Sequence, residues 1–577
     1  MATVAEQMVR ILRDSGVRRI YGIVGDSLNP VVDAVRRTPG IEWVHVRHEE
    51  TAAFAAAAEA QITGRLTVCA GSCGPGNLHL INGLYDAHRS GAPVLAIASH
   101  IPSNQIGTGF FQETHPEQLF AECSHFSELV SQAEQMPRLL RIAMQTAVGR
   151  GGVSVLSIPG DVSERRATGS AAETVHVVEP SPVVPREAAI AELAEVLDSG
   201  EKVMLFAGAG CRDAHDEVMS LAGRLQAPVG HSLGGKEWIQ FDNPYDVGMS
   251  GLLGYGACYD AMHEADRVVL LGTDFPYDGF LPQARTVQID TNPAHLGRRT
   301  PLDLAVHGSV KETLAAVLPR LRQRTDRSFL DRMLHEHARR LEKVVDAYTK
   351  DIEHHTPIHP EYAAAVLDEV AADDAVFTVD TGMGNVWAAR YLTPNGRRRV
   401  IGSFRHGSMA NALPHAIGAA LSSPGRQVVS ISGDGGLAML MGDLLTLSLY
   451  DVPVKVVLFN NASLGMVKLE MLVDGLPSYG TDHTPVDFSA IAAACGIWST
   501  RVDHPGEVRS ALTKAFEHQG PALVELTTDP NAMSIPPKIT SEMLRGFALA
   551  ASKTVLNGGV GKMVELARSN LRNIPRP

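Results

Sequence analysis

Gly433-Asp434-Gly435-Gly436 ends the apolar run Gln427–Ser432, and Asn460-Asn461 begins 24 residues after Gly436, at the end of a second apolar run, Val454–Phe459. Runs that are apolar at nearly every position suit strands buried on both faces of a parallel sheet. A carboxylate and an amide oxygen at the carboxyl ends of two such strands can meet at a sheet crevice. Both are hard oxygen ligands suited to Mg²⁺, which keeps phosphate oxygens and water as its other ligands. The glycines let a diphosphate approach the backbone and the helix start beyond it. Taken alone, the first motif also reads as a turn and the second as a strand end.

The same grammar extends outward from this pair. Arg19–Val24, Leu66–Ala70, Val94–Ala98, Val153–Ile158, Val203–Ala207, Arg267–Gly272, Thr286–Asp290, Ala375–Val379 and Ala522–Thr527 read as strands that alternate with helical patterns. Such alternation predicts repeated α/β units with doubly wound parallel sheets. Val175–Ala188, with Pro180, Pro182 and Pro185, and Lys350–Tyr362, with His354, His355, Pro357, His359 and Pro360, read as linkers. They divide the chain into units at 1–178, 188–340 and 355–530 and a tail at 531–577; no short-period repeat is visible.

A chain of 577 residues is long enough for three or four domains. Its composition, 45% hydrophobic and 20% charged, is that of a globular protein and excludes a mostly disordered chain. A net charge of −13 argues against general nucleic-acid binding, which needs a basic footprint. Cys69, Cys73, Cys123, Cys211, Cys258 and Cys495 form no CxxC pair, so no structural zinc site is expected. Scattered cysteines, an N-terminus that already reads as an amphipathic helix and the lack of a bilayer-length apolar run together predict a cytoplasmic protein.

The tail differs from the rest. Residues 538–577 carry seven basic side chains (Lys538, Arg545, Lys553, Lys562, Arg568, Arg572 and Arg576) against Glu542 and Glu565, a net +5 on a body of −18. Met543, Phe547, Ala550, Ala551 and Val555 form one apolar stripe, and Val560, Val564, Ala567 and Leu571 a second, with Gly558-Gly559 between them. A basic amphipathic segment suits either a membrane interface or docking on its own protein.

Two other patterns fail on inspection. Gly230-His231-Ser232-Leu233-Gly234 fits the hydrolase pattern G-x-S-x-G, but Asp242, Asn243 and Pro244 make Lys236–Tyr245 a poor helix, so the strand–elbow–helix context is not expected. Glu237 stands where a P-loop needs Ser or Thr. Phe206-Ala-Gly-Ala-Gly-Cys-Arg212 follows a strand like a dinucleotide fingerprint but lacks the third glycine.

Gly433–Gly436 with Asn460-Asn461, together with Arg47-His48-Glu49-Glu50, Cys69-Ala-Gly-Ser-Cys-Gly-Pro-Gly-Asn77, Phe111-Gln112-Glu113-Thr114-His115-Pro116 and Gly402-Ser-Phe-Arg-His-Gly-Ser-Met-Ala-Asn411, resembles the thiamine-diphosphate enzymes from end to end, in their pyruvate oxidase and acetolactate synthase branch. That resemblance implies three α/β domains: a pyrimidine-binding one, an FAD-binding central one, and one for the diphosphate and Mg²⁺. It makes Asp434, Asn461 and the Ser463 carbonyl the Mg²⁺ ligands. Gly25, Gly74, Asn77, His406, Gly407, Ser408, Gly433, Gly435, Gly436 and Gly465 are then further cofactor contacts. Glu49, which follows the strand-like Ile41–Val46 and opens the alanine-rich helix, becomes the carboxylate that activates the cofactor through its aminopyrimidine ring, with Glu50 as the other candidate. Met409 becomes an apolar wedge under the cofactor. Phe111 and Gln112 belong to the substrate side, and Leu464 and Met466 face the reacting carbon, although an aromatic is expected at 466.

The flavin-binding members are matched by Ser250-Gly251-Leu252-Leu253-Gly254, Thr273-Asp274-Phe275-Pro276-Tyr277 and Asp290-Thr291-Asn292-Pro293, with Asp290 placed to accept hydrogen bonds from the adenosine half. The implied activity is oxidative decarboxylation of pyruvate to acetate and CO₂, with electrons passing through FAD to a membrane quinone. Acetolactate synthesis, or an oxygen-dependent oxidation that uses phosphate, is the alternative. Subunits of this family share active sites, so the resemblance implies a homo-oligomer, at least a dimer and by its relatives a tetramer, peripherally bound through the tail to a phospholipid surface at the inner face of the cell membrane.

Overall fold

The protein is described by a computed structural model covering residues 2–168, 177–282, 284–352, 354–533, 545, 548–553, 560–570 and 572. Of the tail residues discussed above, Lys538, Glu542, Met543, Phe547, Val555, Gly558, Gly559, Leu571 and Arg576 lie outside the described residues, as do Gly546 and the start of the first linker, 175–176.

Three sheets carry the chain. The first is six-stranded and fully parallel. In chain order its strands are Arg19–Gly22, Glu42–His45, Thr67–Gly71, Val94–His100, Phe126–Leu129 and Val153–Pro159, arranged across the sheet as 2-1-3-4-6-5. The third sheet is built from Val376–Val379, Arg399–Gly402, Val428–Gly433, Val454–Asn460, Trp498–Val502 and Ala522–Thr527 and has the same order. Two copies of one topology thus sit in a chain that shows no short repeat, because the likeness lies in strand order and not in residue identity. The central sheet has seven strands, parallel except for the edge strand Tyr255–Gly256, which runs antiparallel to Asp246–Met249.

The strands expected from apolar runs are the central ones, buried on both faces. Short or edge strands such as Leu304–His307, Arg399–Gly402 and Trp498–Val502 were not expected. Their alternating or half-exposed side chains give a weaker apolar signal. Another difference lies at Ser232. The strand Val229–His231 does pass into a helix, Leu233–Ile239, because the breakers Asp242, Asn243 and Pro244 act only beyond its end. Ser232 nevertheless has an ordinary extended backbone, and its hydroxyl points to the Ala207 carbonyl at 3.5 Å, so no strained nucleophile is present.

The first and third sheets share a hydrophobic core. Helix Glu49–Thr63 is buried along Ala52–Ala58 and at Ala60, and packs on helix Ala412–Ser422. Alanine and glycine allow the backbones themselves to touch. A Cβ on Gly418 would overlap the Ala55 carbonyl, and one on Gly83 would come within 2.6 Å of Ala53 Cβ. Buried polar bonds cross the same contact. Asp443 accepts from the Arg47 amide at 2.9 Å and the Thr51 hydroxyl at 2.7 Å, and His415 meets Asp86 at 3.2 Å. Gly418→Val is expected to lower the unfolding free energy by about 3 kcal/mol through forced separation of the two helices, measured as a lower thermal midpoint; an unchanged midpoint would contradict the contact.

Candidate active site

In the third sheet, strand order reverses between Val376–Val379 and Val428–Gly433, and a crevice opens at the carboxyl ends there. Three strand-to-helix turns converge on it. Asp434 opens the helix Asp434–Leu440, and the Asn461–Leu464 segment follows Val454–Asn460, with Ala462 in the left-handed region at φ 53°. The third turn, Thr381–Gly384, follows Val376–Val379 and turns through Gly382 at φ 126°. Met409, Gly433–Gly436, Asn461, Ser463–Met466 and Thr381–Gly384 line a common cavity, with Trp387, Thr528 and Asp529 among the other walls. The Thr381–Gly384 turn was not singled out in the sequence, although a glycine-rich turn directly after the strand Ala375–Val379 was its visible signal.

The donor set fits a divalent cation. Asp434 is buried; its Oδ1 accepts from the Gly435 amide at 2.9 Å and its Oδ2 has no protein partner. Burial raises its pKa, opposed by the amide of Gly435 and the charge of His483. Asn460 is fully engaged: its amide donates to Glu525 at 2.7 Å and to the Val486 carbonyl at 3.2 Å. Asn461 only closes a local turn onto the Ser463 amide at 3.0 Å, and it lines the cavity. Of the two asparagines, the second is therefore the one free to ligate. Gly436 is required by its neighbour: a Cβ there would collide with Oδ2 of Asp380, a buried acid whose carboxyl burial pushes up to about 7.

Other expected site residues gather elsewhere in the same chain. Glu49, the first helical residue after the cap His48, is buried and meets His79 Nδ1 at 2.9 Å; the His48 and His79 rings stack at 4.4 Å. Gly76 is open toward it, since a Cβ would stand 3.0 Å from Glu49 Oε1. Gly25 abuts Ser72, and Gly74 abuts Gln112, which itself adopts φ 63° and lies 3.4 Å from Cys73 Sγ. Phe111 beside it is 78% exposed. Asn77 is fully buried and donates to the Ser99 carbonyl at 2.8 Å. Neither Glu49, Phe111 nor Gln112 lines the cavity that holds Asp434. Glu50 takes a different part: it accepts from Asn82 at 2.6 Å, and Asn82 also bonds Ser408 and His406 at 2.8 Å each. Gly407 takes φ 78° between those two. His406 stacks on Tyr85, and burial lowers its pKa.

In the central domain the segments expected to hold a flavin lie at the carboxyl ends of the strands Asp246–Met249, Arg267–Leu271 and Arg285–Asp290. Gly251, at φ 109°, faces the ring of Phe275, which stands edge-on to Phe206 and Tyr277. Ser250 is buried with an unpartnered hydroxyl, and Leu252 is exposed. Leu253 packs against the third domain's core, and Arg390 donates to the Gly254 carbonyl at 3.2 Å. Thr273 is buried, and Asp274 pairs with Arg298 and, at 3.2 Å, with Arg299; Pro276 follows. Asp290 accepts from the Asn292 amide at 2.8 Å and lies 3.3 Å from His295. The unpartnered Ser250 hydroxyl beside the Gly251 turn is the polar group here free for a ligand such as a dinucleotide. Gly208 and Gly210, the incomplete fingerprint, serve a closer neighbour: a Cβ on either would come within 2.7 Å of Gly272.

Of the tail, helix Val560–Asn570 is docked on the protein, but not by the stripe expected. Leu566 is buried beside Leu472 and Ala550. Ser569 donates to Asp529 at 2.6 Å, Asn570 to the Asn531 carbonyl at 2.8 Å, and Arg572 lies over Tyr348. Val564 is 46% exposed and Ala567 is exposed too, because polar bonds and not the apolar stripe orient the helix. No described helix is long and apolar enough to cross a membrane.

The N-terminal TPP binding domain of thiamine pyrophosphate enzymes matches residues 2–119, the central domain of those enzymes residues 190–317, and the C-terminal TPP binding domain residues 380–526. The Bacillus subtilis protein YdaP, described as thiamine pyrophosphate-containing, is 35% identical over 98% of both chains. Pyruvate oxidase of Lactiplantibacillus plantarum is 30% identical over 90% of this chain and 87% of its own. Acetolactate synthase of Mycobacterium bovis is 30% identical over 89% of this chain and 86% of its own. Replacing Asn461 by Ala is expected to weaken Mg²⁺-dependent thiamine diphosphate binding by roughly 100-fold in a calorimetric titration; equal affinity would remove Asn461 from the ligand set.

Proposed function

Since the chain belongs to the thiamine pyrophosphate enzyme family, we propose that it is a flavin-linked pyruvate oxidase that converts pyruvate, water and a quinone to acetate, CO₂ and the quinol. The observation that carries the choice of acceptor is the tail: a segment of net +5 over residues 538–577, whose helix Val560–Asn570 docks through Leu566, Ser569 and Asn570 while leaving Val564 and Ala567 outward. Outward apolar side chains in a segment of net positive charge suit a phospholipid surface, where a lipid-dissolved quinone is found.

In this reading Asp434, Asn461 and the Ser463 carbonyl would hold Mg²⁺, and the cavity lined by Gly433–Gly436, open at Gly433, would admit the diphosphate. Bound thiamine diphosphate supplies the nucleophilic carbon and the electron sink for decarboxylation, and FAD the two-electron acceptor. Met409 would support the bound cofactor, while Leu464 and Met466, which line the same cavity, would keep its surroundings apolar and exclude water. Glu49, sheltered beside His79, holds the proton that it shares with the pyrimidine ring.

In this reading Glu49, which is not among the walls of its own chain's cavity, serves the cavity of a second copy. Met439, Leu445 and Leu449, exposed on the segment between the two ligand motifs, are suited to meet that copy. The same body also supports acetolactate synthesis, since the synthase and oxidase relatives are equally similar.

Anaerobic pyruvate is expected to bleach the flavin of the purified protein, and an unbleached spectrum would favour the synthase. Glu49→Gln and Asp434→Ala proteins should each be inactive, and mixing them should restore activity through hybrid dimers with one intact site; no recovery would place both residues in one chain's site. Deleting residues beyond Lys553 should abolish binding to anionic liposomes and spare reduction of a soluble dye, and liposome binding by the truncated protein would refute the membrane role.

A further inference from the structure

We propose that Asp380 is a positioning residue that sets Met409 at its height beneath the cofactor by holding a left-handed turn at Ala410. The inference rests on the reading of Met409 as the cofactor's support, and not on the identity of the substrate or on the flavin.

Asp380 directly follows the strand Val376–Val379 and is buried, and it does not itself line the cavity. Its carboxylate gathers donors from two separate segments. Oδ1 accepts from the Thr381 amide at 3.0 Å and from the Asn411 side-chain amide at 3.3 Å, and the Ala410 and Asn411 backbone amides favour its ionised form. Asn411 in turn donates to the Ser408 carbonyl at 2.8 Å. The residue so clamped, Ala410, is buried at φ 68°, a conformation that an L-residue with a Cβ adopts only where its surroundings impose it. Met409, the residue before it, lines the cavity.

The third side of the carboxylate is closed by Gly436, whose missing Cβ is what makes room for Oδ2. One buried acid therefore fixes three cavity walls against each other: the Thr381–Gly384 turn, Met409 and the Gly435-Gly436 pair. A free rotation of the 409–411 segment would move the Met409 side chain and leave the metal ligands where they are.

Asp380→Asn keeps the size of the side chain but turns one acceptor into a donor that faces backbone N–H groups. The measurement is hydrogen–deuterium exchange at the thiazolium C2 of bound thiamine diphosphate, read by NMR after acid quench, beside a titration of cofactor affinity in Mg²⁺. Exchange needs neither keto acid nor flavin, so its outcome is separate from that of the oxidase reading. The variant is expected to bind the cofactor about as tightly as the parent and to exchange roughly 100-fold more slowly, the scale of a misplacement near 1 Å. Adding Ala410→Gly, which holds the left-handed turn without help, should recover much of that loss.

Parental exchange in Asp380→Asn, or no recovery with Ala410→Gly, would overturn the proposal. Loss of cofactor binding together with exchange would also overturn it, since Asp380 would then belong to the diphosphate cradle. If Asp380→Asn does not fold, Ala410→Val tests the same turn with the acid in place, because a β-branched residue resists positive φ: slow exchange with retained binding supports the proposal, and parental exchange refutes it.

Discussion

Backbone-to-backbone contact between helix Glu49–Thr63 and helix Ala412–Ser422 is the constraint on which the arrangement of sites depends. At Ala55 and Gly418 nothing separates the two helices but main chain, so the first and third sheets have one possible spacing. Apolar burial alone would tolerate sliding. The alanine and glycine surfaces interlock at too short a range for that, and interiors packed to this density resist displacement.

Polar bonds add register to that spacing. Asp443 joins Arg47 and Thr51, and Asn82 joins Glu50 to Ser408 and His406. Buried polar pairs give up water and contribute little net stability, but any shift leaves them unsatisfied, so they favour one alignment over its neighbours. Through Asn82 the segment that carries Met409 is tied to the helix turn that carries Glu49 and Glu50. Helix Met383–Tyr391 makes a similar bridge on the other side: it begins in the cavity wall and ends with Arg390 on the Gly254 carbonyl, beside the segment suited to a flavin.

Much of the fold was legible because central parallel strands are apolar at almost every residue and end in glycine turns. Val203–Ala207 and Ala522–Thr527 have the bounds read from the sequence. The convergence of the motifs at 433–436 and 460–461 on one cavity was legible for a related reason, since both stand at the carboxyl ends of neighbouring parallel strands. Edge strands, the helix after Ser232 and the docked face of Val560–Asn570 were not legible. In each of these a local preference is weak or misleading, and the outcome is decided by partners distant in the chain: Asp529 and Asn531 for the tail helix, and the neighbouring strand for each edge.

The sequence by itself determined the α/β units, the turn residues at the strand ends and the acid and amides able to hold a metal, because these follow from side-chain chemistry and from the spacing of nearby residues. Only the tertiary structure shows that Asn460 is held by Glu525 while Asn461 lines the cavity, that Asp380 fills the space left at Gly436, and that Glu49 is not among the walls of its own chain's cavity around Asp434. Those outcomes depend on which groups distant in the chain come within about 3 Å, and contacts of that range are set by packing between elements and not by any local pattern.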